Sequence, residues 1–229
     1  MLEYLHDNLW IVRQPLNLLG IDFGTVMTII RLQDHSLWIH SPIEPSNELV
    51  RHLDALGHVK AVVSPNTFQH LYADYFMDQF PDAHYFYAPG LEKKKPKMIA
   101  KIKVSDSLNF QSPPKWHDEV ESLAITGMPF VNEYVFYHKA SCTLVASDLL
   151  FNLKKKQQSF WHKLAFPIMG VDGKTPSQSR LFKYFIRDKQ KYNEAIRKLE
   201  QWKIDRIIIG HGGLIEKSAQ DLIPKLIAV

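Results

Sequence analysis

The first forty residues carry an arrangement of apolar and polar positions that is typical of β-structure. Residues 25–32 are rich in β-branched side chains, and residues 36–40 form a second apolar run after a polar turn at residues 33–35. Two such runs joined by a short polar turn predict a β-hairpin. Because proline has no backbone N–H for a strand ladder, Pro42 and Pro45 are expected to end the second strand.

The apolar spacing then changes from that of strands to that of helices. Leu49, Leu53 and Leu56 recur at helical spacing after Ser46, so the sequence predicts a helix that Ser46 caps and Gly57 ends. Three further segments follow in the order strand, helix and strand, at residues 59–64, 68–80 and 83–87. This alternation of helix and strand is typical of an α/β protein.

The second half of the chain is richer in predicted strands. They are expected at residues 119–126, 134–138, 143–147 and 206–209. An amphipathic helix is predicted at residues 188–203, and a closing helix at residues 215–227 is interrupted by Pro224. We therefore predict an α/β fold in which two sheets pack together with helices outside. A doubly wound sheet is the alternative, although the hairpins argue against a purely parallel one.

The composition is that of an ordinary globular protein. The chain has 229 residues, 45% of them hydrophobic and 23% charged, and no segment resembles a linker, so we predict one domain over residues 1–229. Its single cysteine excludes an internal disulfide and a cysteine-based zinc site. The first residues do not form a signal peptide and no apolar run is long enough to span a membrane. We therefore expect a cytoplasmic protein with no membrane partner.

The charge pattern does not favour a nucleic-acid partner. The formal net charge is only +4, and the lysine clusters at residues 93–95 and 154–156 are not interleaved with aromatic residues. Solvated loops explain both clusters, and an anionic partner is the alternative explanation.

Titratable side chains follow several of the predicted strands. His40 ends the second strand of the hairpin, and His70 follows the next predicted strand closely. Asp148 and His211 each follow a later strand, His211 within the motif Gly210-His211-Gly212-Gly213. Each has a simple structural explanation when it is taken alone, such as a helix cap for Asp148. Their joint occurrence indicates a functional site, because active sites in sheet proteins gather at strand ends.

The order of these motifs resembles the metallo-β-lactamase-fold superfamily over nearly the whole chain. It resembles in particular a poorly characterised branch whose metal site is degenerate. The superfamily motif His-x-His-x-Asp-His corresponds to Pro65-Asn66-Thr67-Phe68-Gln69-His70, in which His70 is retained and Gln69 replaces the aspartate. The bridging aspartate of the superfamily corresponds to Asp148, and its last histidine corresponds to His211.

This resemblance implies a four-layer αββα sandwich of two mixed β-sheets with helices on the outer faces. It also implies a reduced metal site. Residues 65, 67 and 127–133 lack the histidines of the first site, which should therefore be absent. The second site keeps three ligands and a substitute, so we expect one ion of zinc or iron per chain, held by His70, Asp148 and His211 with Gln69 beside them.

The function implied by the resemblance is hydrolysis. A metal-activated water would attack an ester, thioester, amide or phosphodiester of a small-molecule substrate. His40, which stands where an aspartate usually ends an early strand, and Glu133, which lies in the region that lost a histidine, are candidates for a general base or for orienting a metal ligand.

Two other functions remain open at this point. The losses from the metal site favour a metal-free scaffold that binds a ligand or a protein partner. The lysine clusters alone favour a nucleic-acid processing protein. Residues 152–187 contain several aromatic side chains and are expected to pack over the sheet rims as a lid.

Overall fold

The computed structural model describes residues 1–18, 21–152 and 176–228, and its larger sheet has seven strands. These strands are β1 (Leu2–His6), β2 (Leu9–Gln14), β5 (Thr25–Arg31), β6 (Leu37–His40), β7 (Val59–Ser64), β8 (His84–Tyr87) and β9 (Ser105–Ser107). They lie side by side in chain order. The pairs from β1 to β6 are antiparallel, and the pairs from β6 to β9 are parallel. One mixed sheet thus combines an antiparallel part, from β1 to β6, with a parallel part, from β6 to β9.

The second sheet has four strands and is also mixed. Its strands are β10 (Val120–Ala124), β11 (Tyr134–His138), β12 (Thr143–Val145) and β13 (Arg206–Ile208). The first three pair antiparallel, and β12 pairs with β13 in parallel. A separate two-stranded ribbon is formed by β3 (Asn17–Leu18) and β4 (Ile21–Asp22).

The helices are mostly short. They are α1 (Asn47–Leu56), α2 (Ala73–Gln79), α3 (Leu91–Lys94), α4 (Pro96–Ile99), α5 (Arg180–Tyr184) and α6 (Lys189–Leu199). Single 3-10 turns lie at Lys115–Asp118, Lys139–Ser141, Gln220–Leu222 and Pro224–Leu226. Within the described ranges, no helix is long and apolar enough to cross a membrane.

Three apolar layers hold the molecule together. Alternate residues of each strand face opposite sides of its sheet, so both sheets bury two faces. The central layer joins the sheets and contains Trp38 and Val63 from one, and Phe136 and Val145 from the other. One outer layer packs α1 and α2 on the large sheet, and the other packs α6 on the small sheet. This arrangement is the predicted four-layer αββα sandwich.

Several local predictions are confirmed. The hairpin of β5 and β6 forms, with Thr28 opposite His40. Ser46 caps α1, because its Oγ accepts a hydrogen bond of 3.1 Å from the backbone N–H of Leu49. The amphipathic helix predicted at residues 188–203 is present as α6, which Asp188 caps in the same way and which ends at Leu199. The structure thus begins both helices where the sequence places a short polar side chain.

Two predicted helices differ from the structure. The helix predicted from residue 68 begins only at Ala73, because the Asn66 side chain accepts from the N–H groups of Phe68 and Gln69 and holds a tight turn. The helix predicted at residues 215–227 is wrong, and two 3-10 turns stand there, the second opened by Pro224. Most of the predicted lid, residues 153–175, lies outside the described residues.

Candidate functional site

Asp148 and His211 form the centre of the candidate site. Asp148 follows β12 and His211 follows β13, and these neighbouring strands are parallel, so their carboxyl ends meet at one edge of the sheet. The Nε2 atom of His211 lies 3.1 Å from Oδ1 of Asp148. Its Nδ1 atom lies 2.7 Å from the carbonyl oxygen of Gly24 and donates to it. The ring is stacked on Phe151, with centroids 5.7 Å apart. The orientation of the imidazole is therefore fixed from three sides.

The pair stabilises the charged forms of both partners. Burial works to lower the pKa of His211, but the hydrogen bond and charge of Asp148 and the Gly24 carbonyl together raise it above its ordinary value. Burial works to raise the pKa of Asp148, while hydrogen bonds from His211, Asn66 and Gln69 lower it overall. Each group thus favours the charge that its partner needs.

Gln69 completes the centre. Its side-chain Nε2 lies 3.0 Å from Nε2 of His211, and the amide contributes to the lowered pKa of Asp148. An amide has two donor hydrogens and an acceptor oxygen, and rotating it exchanges them. Gln69 is therefore able either to donate to an unprotonated His211 or to present its oxygen at the same place.

A buried network beneath the pair fixes Asp148. Glu133 is fully buried, and its Oε1 accepts from the backbone N–H groups of Ser147 and Asp148 at 2.9 and 3.1 Å. The amide of Asn66 donates to the other oxygen of Glu133 and, over 2.7 Å, to Oδ2 of Asp148. Burial and the charge of Asp148 raise the pKa of Glu133 to about 8. Asn66 thus bridges two carboxyl groups, and Glu133 holds the turn that carries Asp148.

A cavity of about 430 Å³ opens above the pair. Its floor contains Gln69, Asp148 and His211, and the rest of the wall is mostly apolar, with Phe23, Phe68, Leu71, Phe151, Leu181, Phe182 and Phe185 contributing to it. This volume lies within the range of about 300–1,000 Å³ that is usual for small-molecule sites. The polar centre is therefore the floor of a pocket of ligand size.

The other two predicted histidines, His70 and His40, lie in different surroundings. His70 lines the same cavity, but burial and the charges of Lys94 and Lys95 lower its pKa to about 4, and no hydrogen bond joins it to Asp148 or His211. His40 is buried between the sheets, where its ring stacks on Trp38 with centroids 5.9 Å apart. Burial lowers the pKa of His40 to about 3, although the charge of Asp148 opposes this. Neither His40 nor Glu133 is among the residues that line the cavity.

The donor set fits a single metal ion only in part. Within the described ranges, no three His, Cys, Asp or Glu side chains are grouped so as to hold a metal ion. His211 and Asp148 present a nitrogen and an oxygen 3.1 Å apart, which is a hydrogen-bond distance and somewhat less than the roughly 3.3–3.5 Å between two ligands of one tetrahedral zinc ion. The Gln69 amide lies beside His211. The centre therefore offers two strong ligands and one amide.

This chain matches one family of proteins, whose function is not assigned. The family described as domain of unknown function (DUF4336) matches residues 6–180, which is well over half of the chain. The chain belongs to the DUF4336 family. The match includes Asn66, Gln69, Glu133 and Asp148, and it ends before His211. Among curated proteins, none matches the chain significantly.

Solved structures show the fold of this DUF4336 protein. A metallo-β-lactamase from Pontibacter korlensis is 13% identical, with a TM-score of 0.65 over 99% of this chain and 98% of that one. A metallo-β-lactamase from Hirschia baltica is 11% identical, with a TM-score of 0.62 over 99% and 97% of the two chains. The metal-soaked Flv1 flavodiiron core from Synechocystis sp. PCC6803 is 10% identical, with a TM-score of 0.66 over 99% and 59%. The predicted metallo-β-lactamase fold is thereby confirmed.

Two parts of the site, Asn66 and the carbonyl of Gly24, were not predicted from the sequence. Asn66 was visible only as a spacer within the degenerate motif, although an asparagine after a strand and a proline is a signal for a turn held by its side chain. Gly24 contributes a backbone carbonyl, for which the sequence carries no signal. Gly24 and His211 are far apart along the chain, and only the packing of the two sheets brings them into contact.

Proposed function

We propose that this protein is a hydrolase of small molecules whose site holds one metal ion between Asp148 and His211. The observation that carries the proposal is the pair itself, a histidine nitrogen and a carboxylate oxygen 3.1 Å apart on the floor of a cavity of ligand size. Full-length similarity to structures titled metallo-β-lactamase and flavodiiron core supports it at the level of fold. A bound zinc or iron ion would supply a water of lowered pKa for attack on an ester or amide.

One backbone carbonyl and several side chains of this protein would have defined roles in such a site. The Gly24 carbonyl holds a proton of His211 on Nδ1, so that Nε2 would be able to bind a metal ion in place of its own proton. Asn66 and Glu133 fix Asp148 from below, so that its Oδ1 is directed at His211. Asp148 and His211 are 9% and 8% exposed, and this limited contact with water strengthens the electrostatic interaction between them.

Zinc binding to the full chain tests the proposal directly. Isothermal titration of chelator-treated protein should show about one ion per chain, and His211→Ala and Asp148→Asn should each weaken binding by at least about 10-fold. His52→Ala, which removes an exposed histidine on α1, is the matched control and should bind as the wild type does. His70→Ala shows whether the histidine on the cavity wall is recruited as a third ligand. A wild-type protein that binds neither zinc nor iron would contradict the proposal.

A second candidate function is metal-free binding of a small molecule. The observation that favours it is the Gln69 amide, which lies against Nε2 of His211, beside Asp148, where a cation would otherwise be needed. Gln69→Asp separates the two candidates, because it adds the negative charge of the superfamily motif. Zinc binding by Gln69→Asp but not by the wild type would identify a scaffold that has exchanged its metal for an amide.

A further inference from the structure

Aromatic rings surround the polar floor of the cavity, which is formed by Gln69, Asp148 and His211. Phe151 is stacked on His211, and Phe23 meets the same imidazole edge-on with centroids 6.3 Å apart. Phe182 in α5 and Phe185 just after it also line the cavity. A substrate bound at Asp148 would therefore lie beside these rings. Binding of an apolar group against such a wall is favourable, because the group is removed from water. A small polar molecule gains little from the same contact.

The mouth of the cavity keeps large apolar side chains in contact with water. Phe68, Leu71 and Leu181 all line the cavity, yet their exposed fractions are 46%, 55% and 55%. Single exposed apolar residues are ordinary, but a group of them around one opening marks a binding site. Their exposed surface is available to a ligand without displacing any part of the core.

The ring at the mouth is positioned by its neighbours. The ammonium group of Lys94 lies 4.2 Å from the centre of the Phe68 ring, and it also donates to the carbonyl of Thr67. On the cavity side, Phe68 and Phe185 have centroids 6.2 Å apart. A ring held by such contacts loses little freedom when a ligand packs against it, so its contribution to binding is retained.

From this arrangement we infer that the cavity takes substrates with an apolar, aryl-sized group joined by a short apolar chain to the bond that is hydrolysed. The aryl group would lie among the phenylalanines, and the polar end would face Asp148, Gln69 and His211. The position of the polar end rests on the proposed function, whereas the position of the aryl group rests on the cavity wall alone. The volume of about 430 Å³ is sufficient for such a molecule.

Binding of a matched pair of amides tests the inference without turnover. The probes are 4-phenylbutanamide and butanamide, which differ only in the phenyl group and are measured by calorimetry on the full chain, with and without zinc. We expect 4-phenylbutanamide to bind at least about 10-fold more tightly. Leu181→Gln should remove much of that difference, and because this side chain is half exposed the variant should fold.

The control for Leu181→Gln is Val104→Gln. Val104 is also an exposed apolar residue, at 43%, and it does not line the cavity. This control should bind both amides as the wild type does. Equal affinity of the wild type for the two amides, or an equal effect of the two variants, would overturn the inference.

Hydrolysis of the matching esters separates this inference from the proposed function. Methyl 4-phenylbutanoate and methyl butanoate have the same reacting carbonyl, so kcat/KM compares their binding to the wall. Selective binding of 4-phenylbutanamide with no hydrolysis of either ester would leave the inference standing and contradict the hydrolase proposal. Hydrolysis of both esters with equal kcat/KM would support the hydrolase and overturn the inference.

Discussion

At the scale of single residues, Asn66 is the side chain on which the site depends most. Its amide hydrogens separate the carboxyl groups of Glu133 and Asp148, and its oxygen holds the turn that carries Gln69. Two buried carboxylates that share one neighbourhood repel each other unless a donor or a proton lies between them. The asparagine supplies that donor in a place where the superfamily motif has only a spacer.

Asn66→Asp should destabilise the protein by about 3–5 kcal/mol at neutral pH. The aspartate has the same shape and still accepts from Phe68 and Gln69, so the change leaves the turn intact while it replaces the amide donor with a further buried negative charge. Urea unfolding followed by fluorescence gives the difference in unfolding free energy. Asn109→Asp, which changes an exposed asparagine, should have a small effect. Equal stability of the two variants would show that Asn66 does not screen the carboxyl groups.

At the scale of elements, the start of α6 is fixed by the loop after β10. The carbonyl of Gly127 accepts from the N–H groups of Arg187 and Asp188, at 2.9 and 3.2 Å. Gly127 has a φ of 83°, and a Cβ atom there would overlap the Asp188 carbonyl and lie 2.9 Å from the backbone nitrogen of Tyr192. Only glycine allows the loop and the helix to approach this closely.

Gly127→Ala should therefore cost at least about 2 kcal/mol of unfolding free energy, because strain in φ and steric overlap add together. Gly24→Ala is the matched control, since φ is 63° there but a Cβ atom would meet only the Gln14 carbonyl oxygen at 3.9 Å. The control should lose only about 1 kcal/mol, from the left-handed backbone alone. Thermal unfolding of both variants measures the difference. Equal losses would mean that α6 moves away at little cost.

At the scale of the whole molecule, the sandwich buries titratable groups between its layers. His40 and His138 are 1% and 3% exposed, and burial lowers their pKa values to about 3 and about 4. In the unfolded chain both would have ordinary pKa values near 6.5. The folded protein therefore binds fewer protons than the unfolded chain at mildly acidic pH.

This difference predicts that His40 and His138 destabilise the protein on acidification, whereas the raised pKa values of Glu133 and His211 act in the opposite direction. Above pH 6.5 both histidines are neutral in the folded and the unfolded protein, so they do not change the free energy of unfolding. As the pH falls from 6.5 towards 4, only the unfolded chain takes up protons on them, and this lowers the free energy of unfolding. The two groups together should remove on the order of 4 kcal/mol by pH 5. Urea unfolding at a series of pH values measures this slope.

Substitution of one buried histidine tests this cause of the slope. His40→Phe keeps an aromatic ring beside Trp38 and should flatten the decline between pH 6.5 and 5. His52→Gln, which changes an exposed histidine, should retain the wild-type slope. A steep decline in His40→Phe equal to that of the wild type would assign the acid sensitivity to other groups.

The strong local patterns predicted most of the elements, and long-range contacts account for the differences. The hairpin of β5 and β6, the cap of α1 and the amphipathic helix α6 follow from alternation and capping, which act over a few residues. Apolar spacing alone misplaced the start of α2, because the local turn that Asn66 holds delays the helix and the amide of Asn66 is in turn held by carboxyl groups far along the chain.

The same division holds for the site. The sequence by itself determined that Asp148 and His211 follow strands, since apolar runs and glycines mark strand ends locally. Only the tertiary structure decided that these two meet at 3.1 Å, that Gln69 joins them and that Glu133 is turned inward to support them. It also separated His40 from the cavity by placing its side chain between the sheets. Side-chain partners across 60 or more residues depend on how two sheets pack, which local pattern does not encode.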